Sequence, residues 1–203
     1  MKIIPIQGAV SDAILAELQK RQINEQGRPI IPEKTTDARE GFVMIGGTQE
    51  TTEATFTTFN DNFPGAGIIK FCAQPKLFKG FPAERILFVG CRTWDKETHA
   101  QLRARNSKQY LMHEIIQEGI SDVCDSVMSA AKDFPALYMS IDASVLDPAF
   151  VPSENPEPGG MTTRELLYFI RRLKMLKNLK AIDITGIKEE SAKIGAKLLS
   201  ELL

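Results

Sequence analysis

The sequence predicts an α/β domain of three layers, with helices on both faces of a mostly parallel sheet. Short apolar runs, such as Phe42 to Ile45, Arg85 to Cys91 and Ala136 to Ile141, read as strands covered on both faces. Segments of helical periodicity stand between them, and strand–helix alternation is the pattern of a parallel sheet. At 203 residues the chain suits a single domain spanning 1–203.

The elements follow in order. Lys2 to Ile6 is a strand, and Ser11 or Asp12 is expected to cap a helix to Gln22 that turns Ile14, Leu15 and Leu18 inward. Asn24 to Arg39 carries Gly27, Pro29 and Pro32 and reads as a connector. Phe42 to Ile45 is a strand closed by Gly46-Gly47, followed by a threonine-rich helix from about Glu50 to Phe59. Gly67 to Cys72 and Arg85 to Cys91 are strands separated by a loop with Pro75, Gly80 and Pro82. A charged helix over Asp95 to Arg105, a strand over Gln109 to Met112 and an amphipathic helix over Ile120 to Lys132 come next. Ala136 to Asp142 is a strand, Thr162 to Leu176 a helix, Leu179 to Ile184 a strand and Glu189 to Leu202 the closing helix.

Bulk properties exclude several functions. Hydrophobic residues at 43%, charged residues at 25% and a net charge of −1 are ordinary, and neither a nucleic-acid surface nor a polyanionic tail is indicated. Arg171, Arg172, Lys174, Lys177 and Lys180 read as the solvated face and end of one helix. Cys72, Cys91 and Cys124 lack the spacing of a zinc or redox motif and are expected to be buried free thiols, as suits a reducing cytoplasm. There is no secretory leader pattern and no run of about 18 apolar residues, so neither export nor membrane insertion is expected.

The most informative stretch runs from Ser140 to Glu165. A strand ends in Asp142, and a stiff loop follows with prolines at 148, 152, 156 and 158; Gly159-Gly160 then leads to a cap at Thr162 or Thr163. A carboxylate at the end of a buried strand, followed by a long loop, is where α/β proteins place chemistry. In order, Ser140, Asp142, Asp147, Pro148, Pro152, Pro156, Gly159, Gly160 and Thr162 match a ureohydrolase segment of the form Ser-X-Asp-X-Asp-X-X-Asp-Pro, prolines, Pro-X-X-Gly-Gly-X-Thr. The chain therefore resembles the arginases, agmatinases and formimidoylglutamases. Gly46-Gly47, Gly67 to Leu77, Val89-Gly90-Cys91-Arg92 and Leu179 to Glu189 resemble further family segments. The resemblance covers roughly residues 40 to 203, and the region from 1 to about 40 looks shortened or rebuilt.

That resemblance implies an arginase-like fold and, in the family, two manganese ions that activate a bridging water against a guanidinium carbon. Four aspartates and two histidines hold them, because hard dications prefer anionic oxygen and imidazole donors. In this chain Gly-Gly-Asp-His reads Gly46-Gly47-Thr48-Gln49, and Asp-Ala-His-X-Asp reads Cys72-Ala73-Gln74-Pro75-Lys76. Asp142 is kept, Ser144 replaces the second aspartate of Asp-X-Asp, and Gly186 stands for the glutamate near the guanidinium. A lysine ammonium about 4 Å from even a single positive charge faces about 4 kcal/mol of repulsion at an effective dielectric of about 20. The expectation is therefore loss of the dimanganese centre and of amidinohydrolase activity, with no cofactor, and a ligand-binding, regulatory or structural role. Lys76 is expected to replace the metal charge and pair with Asp142. The loop from Ala73 to Glu84 lacks the family's histidine-bearing insertion, and Pro152-Ser153-Glu154-Asn155-Pro156 lacks both glycines of the substrate loop.

Gln49, Cys72, Gln74, Lys76, Asp142 and Ser144 are accordingly expected to line the old cleft, with a small amino-acid-like or guanidino molecule as ligand. The competing reading is a hydrolase of a linear guanidino or amidino substrate, with a rebuilt site from Asp142, Gln74, Gln49 and Ser144. A metal-free enzyme using Cys72 as nucleophile is a third. His99 and His113 fall at no ligand position of the family and read as surface or structural residues. Trp94 and Phe150 read as packing residues. The family's trimers and hexamers imply a homo-oligomer or an association with an active relative.

Overall fold

A computed structural model describes residues 2–5, 9–21, 42–46 and 49–202. Among the described residues, seven strands form one sheet in the order β1-β2-β7-β6-β3-β4-β5. They are β1 (Lys2–Pro5), β2 (Phe42–Ile45), β3 (Gly67–Phe71), β4 (Ile86–Cys91), β5 (Lys108–Leu111), β6 (Leu137–Asp142) and β7 (Leu179–Thr185). Every pairing is parallel, so the mostly parallel expectation is exceeded. β3, β6 and β7 lie side by side at the centre, and every residue of β3 and β4 is buried, which explains their apolar runs.

The helices are α1 (Ala9–Arg21), α2 (Gln49–Asn62), α3 (Lys96–Ala104), α4 (Met112–Glu118), α5 (Ile120–Ala131), α6 (Thr163–Leu173) and α7 (Ala192–Leu202). They complete three layers with two cores. Ile14 of α1, Val123 and Val127 of α5, Leu166 and Phe169 of α6 and Leu198 of α7 pack on one sheet face with Ile69, Phe71 and Ile141. On the other face, Phe56 and Phe59 of α2 and Leu102 of α3 meet Ile68, Phe88 and Tyr138. The rings of Phe56 and Phe59 both stand edge-on to Tyr138, with centroids 5.4 Å away.

Three local expectations need correction. α1 starts at Ala9, ahead of Ser11 and Asp12, and the Ser11 hydroxyl instead donates to the Ile45 carbonyl at 3.0 Å, tying the helix to β2. α2 runs past Phe59 to Asn62 despite its threonines, since its aromatic face is buried and the Thr57 and Thr58 hydroxyls return to carbonyls one turn back. α4 went unassigned. It is too short for a clear period, and it is started by Glu114, whose carboxylate accepts the Leu111 N–H at 2.7 Å. The connector from Asn24 to Arg39 lies outside the described residues.

The inward faces of α5 and α6 are as expected. Thr162 caps α6 through a reciprocal box with Glu165. The basic cluster is solvated but engaged: Arg171 pairs with Glu201 at 2.9 Å, and Arg172 pairs with Asp125. Arg171 and Lys197 together hold the Glu201 carboxyl far below the ordinary glutamate range, at about 2. A depressed folded-state pKa contributes stability above the unfolded value, and that contribution is lost as pH falls toward about 2. Glu201→Gln is therefore expected to flatten the acid limb of a stability–pH curve between about pH 4.5 and 2, leaving its shape above pH 6 unchanged. Urea titrations across that range check this.

Candidate functional site

Strand register builds the site from below. Lys70 of β3, Ser140 of β6 and Asp183 of β7 are direct neighbours on the same sheet face. All are buried, and the Lys70 ammonium donates to Ser140 Oγ at 2.9 Å. Tyr138, two residues before Ser140, donates its hydroxyl to Asp183 Oδ2 at 3.0 Å. Burial pushes the Asp183 carboxyl up, against the opposing pull of the Lys70 charge and of the Ser140, Thr52 and Tyr138 hydroxyls. One pleat higher, toward the strands' C-terminal ends, the same face carries Cys72, Asp142 and Thr185.

Above this layer a cleft of about 730 Å³ opens, lined by Gln74, Lys76, Asp142, Ser144 and Gly186. Asp95 and Thr98 at the start of α3 and the 154–157 loop complete its walls. Four of the six residues expected here, Gln74, Lys76, Asp142 and Ser144, are thus brought together. Asp142 is half-buried rather than buried, and its Oδ1 accepts the Ser144 N–H at 2.9 Å. Ser144 Oγ in turn accepts the Ala73 N–H at 3.2 Å, which joins the ends of β3 and β6. Cys72 lies beneath the floor, its sulfur 3.7 Å from that of Cys91. Gln49 is the first residue of α2, and its side chain lies outside the described set. At Gly186, φ is +70°, and a Cβ would stand 3.0 Å from Asp142 Oδ1, so the backbone here closes directly over the aspartate.

Arg92 organises the loop that roofs the cleft. Its guanidinium donates to the carbonyls of Ser144 (2.8 Å), Glu157 (2.5 Å) and Pro158 (2.9 Å), and more distantly to Gly90 and Val145 (3.3 Å each). Partial burial lowers the Arg92 pKa from its ordinary value. Asp147 fastens the same loop from its other side. Its carboxylate accepts from Ala149 (2.9 Å), Gly159 (2.7 Å) and Gly160 (3.1 Å), which holds it below the usual aspartate range. This loop-shaping role was legible in the Asp-Pro and Gly-Gly pattern. The Arg92 role was not, since a strand-end arginine has many uses and four of its five acceptors lie more than 50 positions away.

Gly160 is a tight point of this loop. A Cβ there would come 2.6 Å from the Val145 carbonyl oxygen and 2.7 Å from both Arg92 Nη2 and the Asp147 nitrogen. Because backbone stands on both sides, relief requires opening the loop. Gly160→Ala is expected to cost about 2 kcal/mol, read as a lowered denaturation midpoint.

Other residues fall outside the site or on its rim. His113 is exposed, and His99 stacks on Trp94 at 5.3 Å beside the cleft. Trp94 packs on the second core as expected, but Phe150 is 58% exposed and anchors nothing. Its loop is already held by Asp147, and polar fastening replaces the apolar anchor. Cys72, Cys91 and Cys124 are buried free thiols. Glu154 and Asn155, in the segment that resembles the family's substrate loop, line the cleft, and tertiary placement adds Asp95 and Glu157. Among the described residues no helix is long and apolar enough to cross a membrane.

Residues 10–203 match the model of the arginase family. An arginase of Schizosaccharomyces pombe is 30% identical over 128 residues, which cover 59% of this chain and 39% of that protein. The matched segment is therefore about two fifths of that relative's length. Among solved structures, an arginase from Bacillus subtilis superposes over 100% of this chain and 97% of its own, with a TM-score of 0.84 at 17% identity. A formimidoylglutamase from Bacillus subtilis covers 99% of this chain and 85% of its own, with a TM-score of 0.82 at 15% identity. These two likenesses establish the fold.

Proposed function

The chain belongs to the arginase family, and from that premise we propose that it keeps the family scaffold without a dimanganese centre, binding a small cationic ligand of amino-acid or guanidino type that it does not hydrolyse. Its role in this reading is regulatory or structural. The donor chemistry supports it. The positions expected to supply anionic and imidazole ligands carry a thiol, an amide, an ammonium and a hydroxyl, at Cys72, Gln74, Lys76 and Ser144. Asp142 Oδ1 and Ser144 Oγ already accept backbone N–H groups, and the Cys72 sulfur lies against Cys91. This set does not suit two hard dications, which need several free anionic oxygens. The observation that carries the reading is that Lys76 lines the same cleft as Asp142. Asp95, Asp142, Glu154 and Glu157 outnumber Lys76 along the walls, which favours a positively charged ligand.

The competing hydrolase reading draws on Gln74, Asp142 and Ser144, which share the cleft. One experiment separates the two. The full chain is incubated with manganese, desalted, analysed for metal and assayed for urea release from arginine and agmatine. Substoichiometric metal and no urea, with agmatine binding measured by calorimetry, are expected. Stoichiometric manganese or urea release would overturn the proposal. Association with a second copy or with an active relative belongs to the same reading and is checked by light scattering.

A further inference from the structure

We propose that Cys72 and Cys91 form a reversible redox dithiol at the floor of the cleft, a modification site whose oxidation loosens the loop above. The inference goes beyond the reading above and does not rest on it. In a regular ladder the two side chains would point to opposite faces. β3 and β4 run in register from Ile68↔Ile86 to Phe71↔Val89, so Cys72 falls opposite Gly90 and Cys91 would face the other core. On its other side β4 slips register against β5 between Val89 and Cys91, where Gly90 takes φ +82°. A glycine bulge of this kind re-aims the following side chain. Cys91 thereby joins Cys72 in the second core, with the sulfurs 3.7 Å apart. The third thiol, Cys124, sits in the first core.

A disulfide needs the sulfurs at about 2.05 Å, so the gap must close by about 1.7 Å. The oxidant is a hydroperoxide, and Ala73, next in the chain to Cys72, lines the cleft that it would enter. The Cys72 sulfur takes one oxygen from hydrogen peroxide, becomes a sulfenic acid and releases water. The Cys91 sulfur then attacks it, the S–S bond forms and the sulfenic oxygen leaves as a second water. Two thiol hydrogens and two electrons thus reduce one peroxide to two waters. Burial and the contact with Cys72 push the Cys91 thiol up, which disfavours it as the first sulfur oxidised.

The coupling to the loop is covalent. Cys72 precedes Ala73, whose N–H holds Ser144 and whose carbonyl accepts the Arg92 and Thr93 N–H groups. Cys91 precedes Arg92, which grips the carbonyls of Ser144, Glu157 and Pro158. Drawing the sulfurs together displaces Ala73 and Arg92, and with them the contacts that they make to Ser144, Glu157 and Pro158.

The test treats the full chain with hydrogen peroxide, alkylates it under denaturing conditions and maps the peptides by mass. A Cys72–Cys91 linked peptide with Cys124 alkylated, reversed by dithiothreitol, is expected. Recovery of Cys72 and Cys91 as free thiols, as sulfinic acids or linked to Cys124 would overturn the proposal. Reduced and oxidised unsubstituted chains are then digested with a glutamate-specific protease. Several-fold faster cleavage after Glu154 in the oxidised form is expected, and equal rates would overturn the coupling. Neither readout involves metal or urea, so failure here is distinguishable from failure of the functional reading.

Discussion

Lys70→Met is expected to lower the folding stability by about 4 kcal/mol, the range found when one partner of a buried charge cluster is removed. Lys70 is 1% exposed and Asp183 is fully buried, and they occupy consecutive register positions either side of Ser140. The Lys70 charge is the largest influence holding the Asp183 pKa down against burial. Without it, that pKa rises further above its unfolded value. A group with a raised folded-state pKa adds stability at low pH, and this is lost as pH climbs through the folded value. The deficit should therefore be larger at pH 8 than at pH 5. Adding Asp183→Asn removes the stranded carboxylate, so the double variant should recover part of the loss. Urea denaturation of both variants at the two pH values measures all of this. A single-variant loss below about 1 kcal/mol, or strictly additive substitutions, would show that the cluster is not coupled.

Arg92→Ala should be the next most damaging change, at about 3 kcal/mol, since it strips a charged donor from the carbonyls of Ser144, Glu157 and Pro158 together. The loss is local. The loop from Ser144 to Gly160 should open before the sheet unfolds, and a glutamate-specific protease should cut after Glu154 at a markedly higher rate. Arg92→Lys keeps the charge but not the planar fork and should fall between the two. Equal protease resistance in Arg92→Ala and the unsubstituted chain would remove Arg92 from its role as the fastener of the roof.

These two residues mark where sequence reading stopped. Lys70 interrupts an otherwise apolar strand, and nothing adjacent in sequence says whether its charge faces water or a carboxylate. Its neighbours, Ser140 and Asp183, lie 70 and 113 positions away in a chain of 203 residues. Arg92 likewise draws its loop acceptors from more than 50 positions downstream. The acidic walls of the cleft come from the first turn of α3 and the loop after β6.

Other features depend on short-range pattern, and these were readable without coordinates. Continuous apolar runs alternating with periodic segments require a parallel sheet covered on both sides, and the seven strands lie where those runs lie. Thr162 and Glu165 are three positions apart, so the cap of α6 is local chemistry. Asp147 with Gly159-Gly160 spells out a loop closed on itself. The long Ser140–Thr162 motif carried the family, and the replaced positions 72, 74, 76 and 144 were visible within it. Tertiary structure alone decided what those replacements do. The bulge at Gly90 turned Cys91 toward Cys72, and the closure at Gly186 set backbone against Asp142. Side-chain direction at a strand end depends on register and φ across several strands, and a linear pattern does not contain that information.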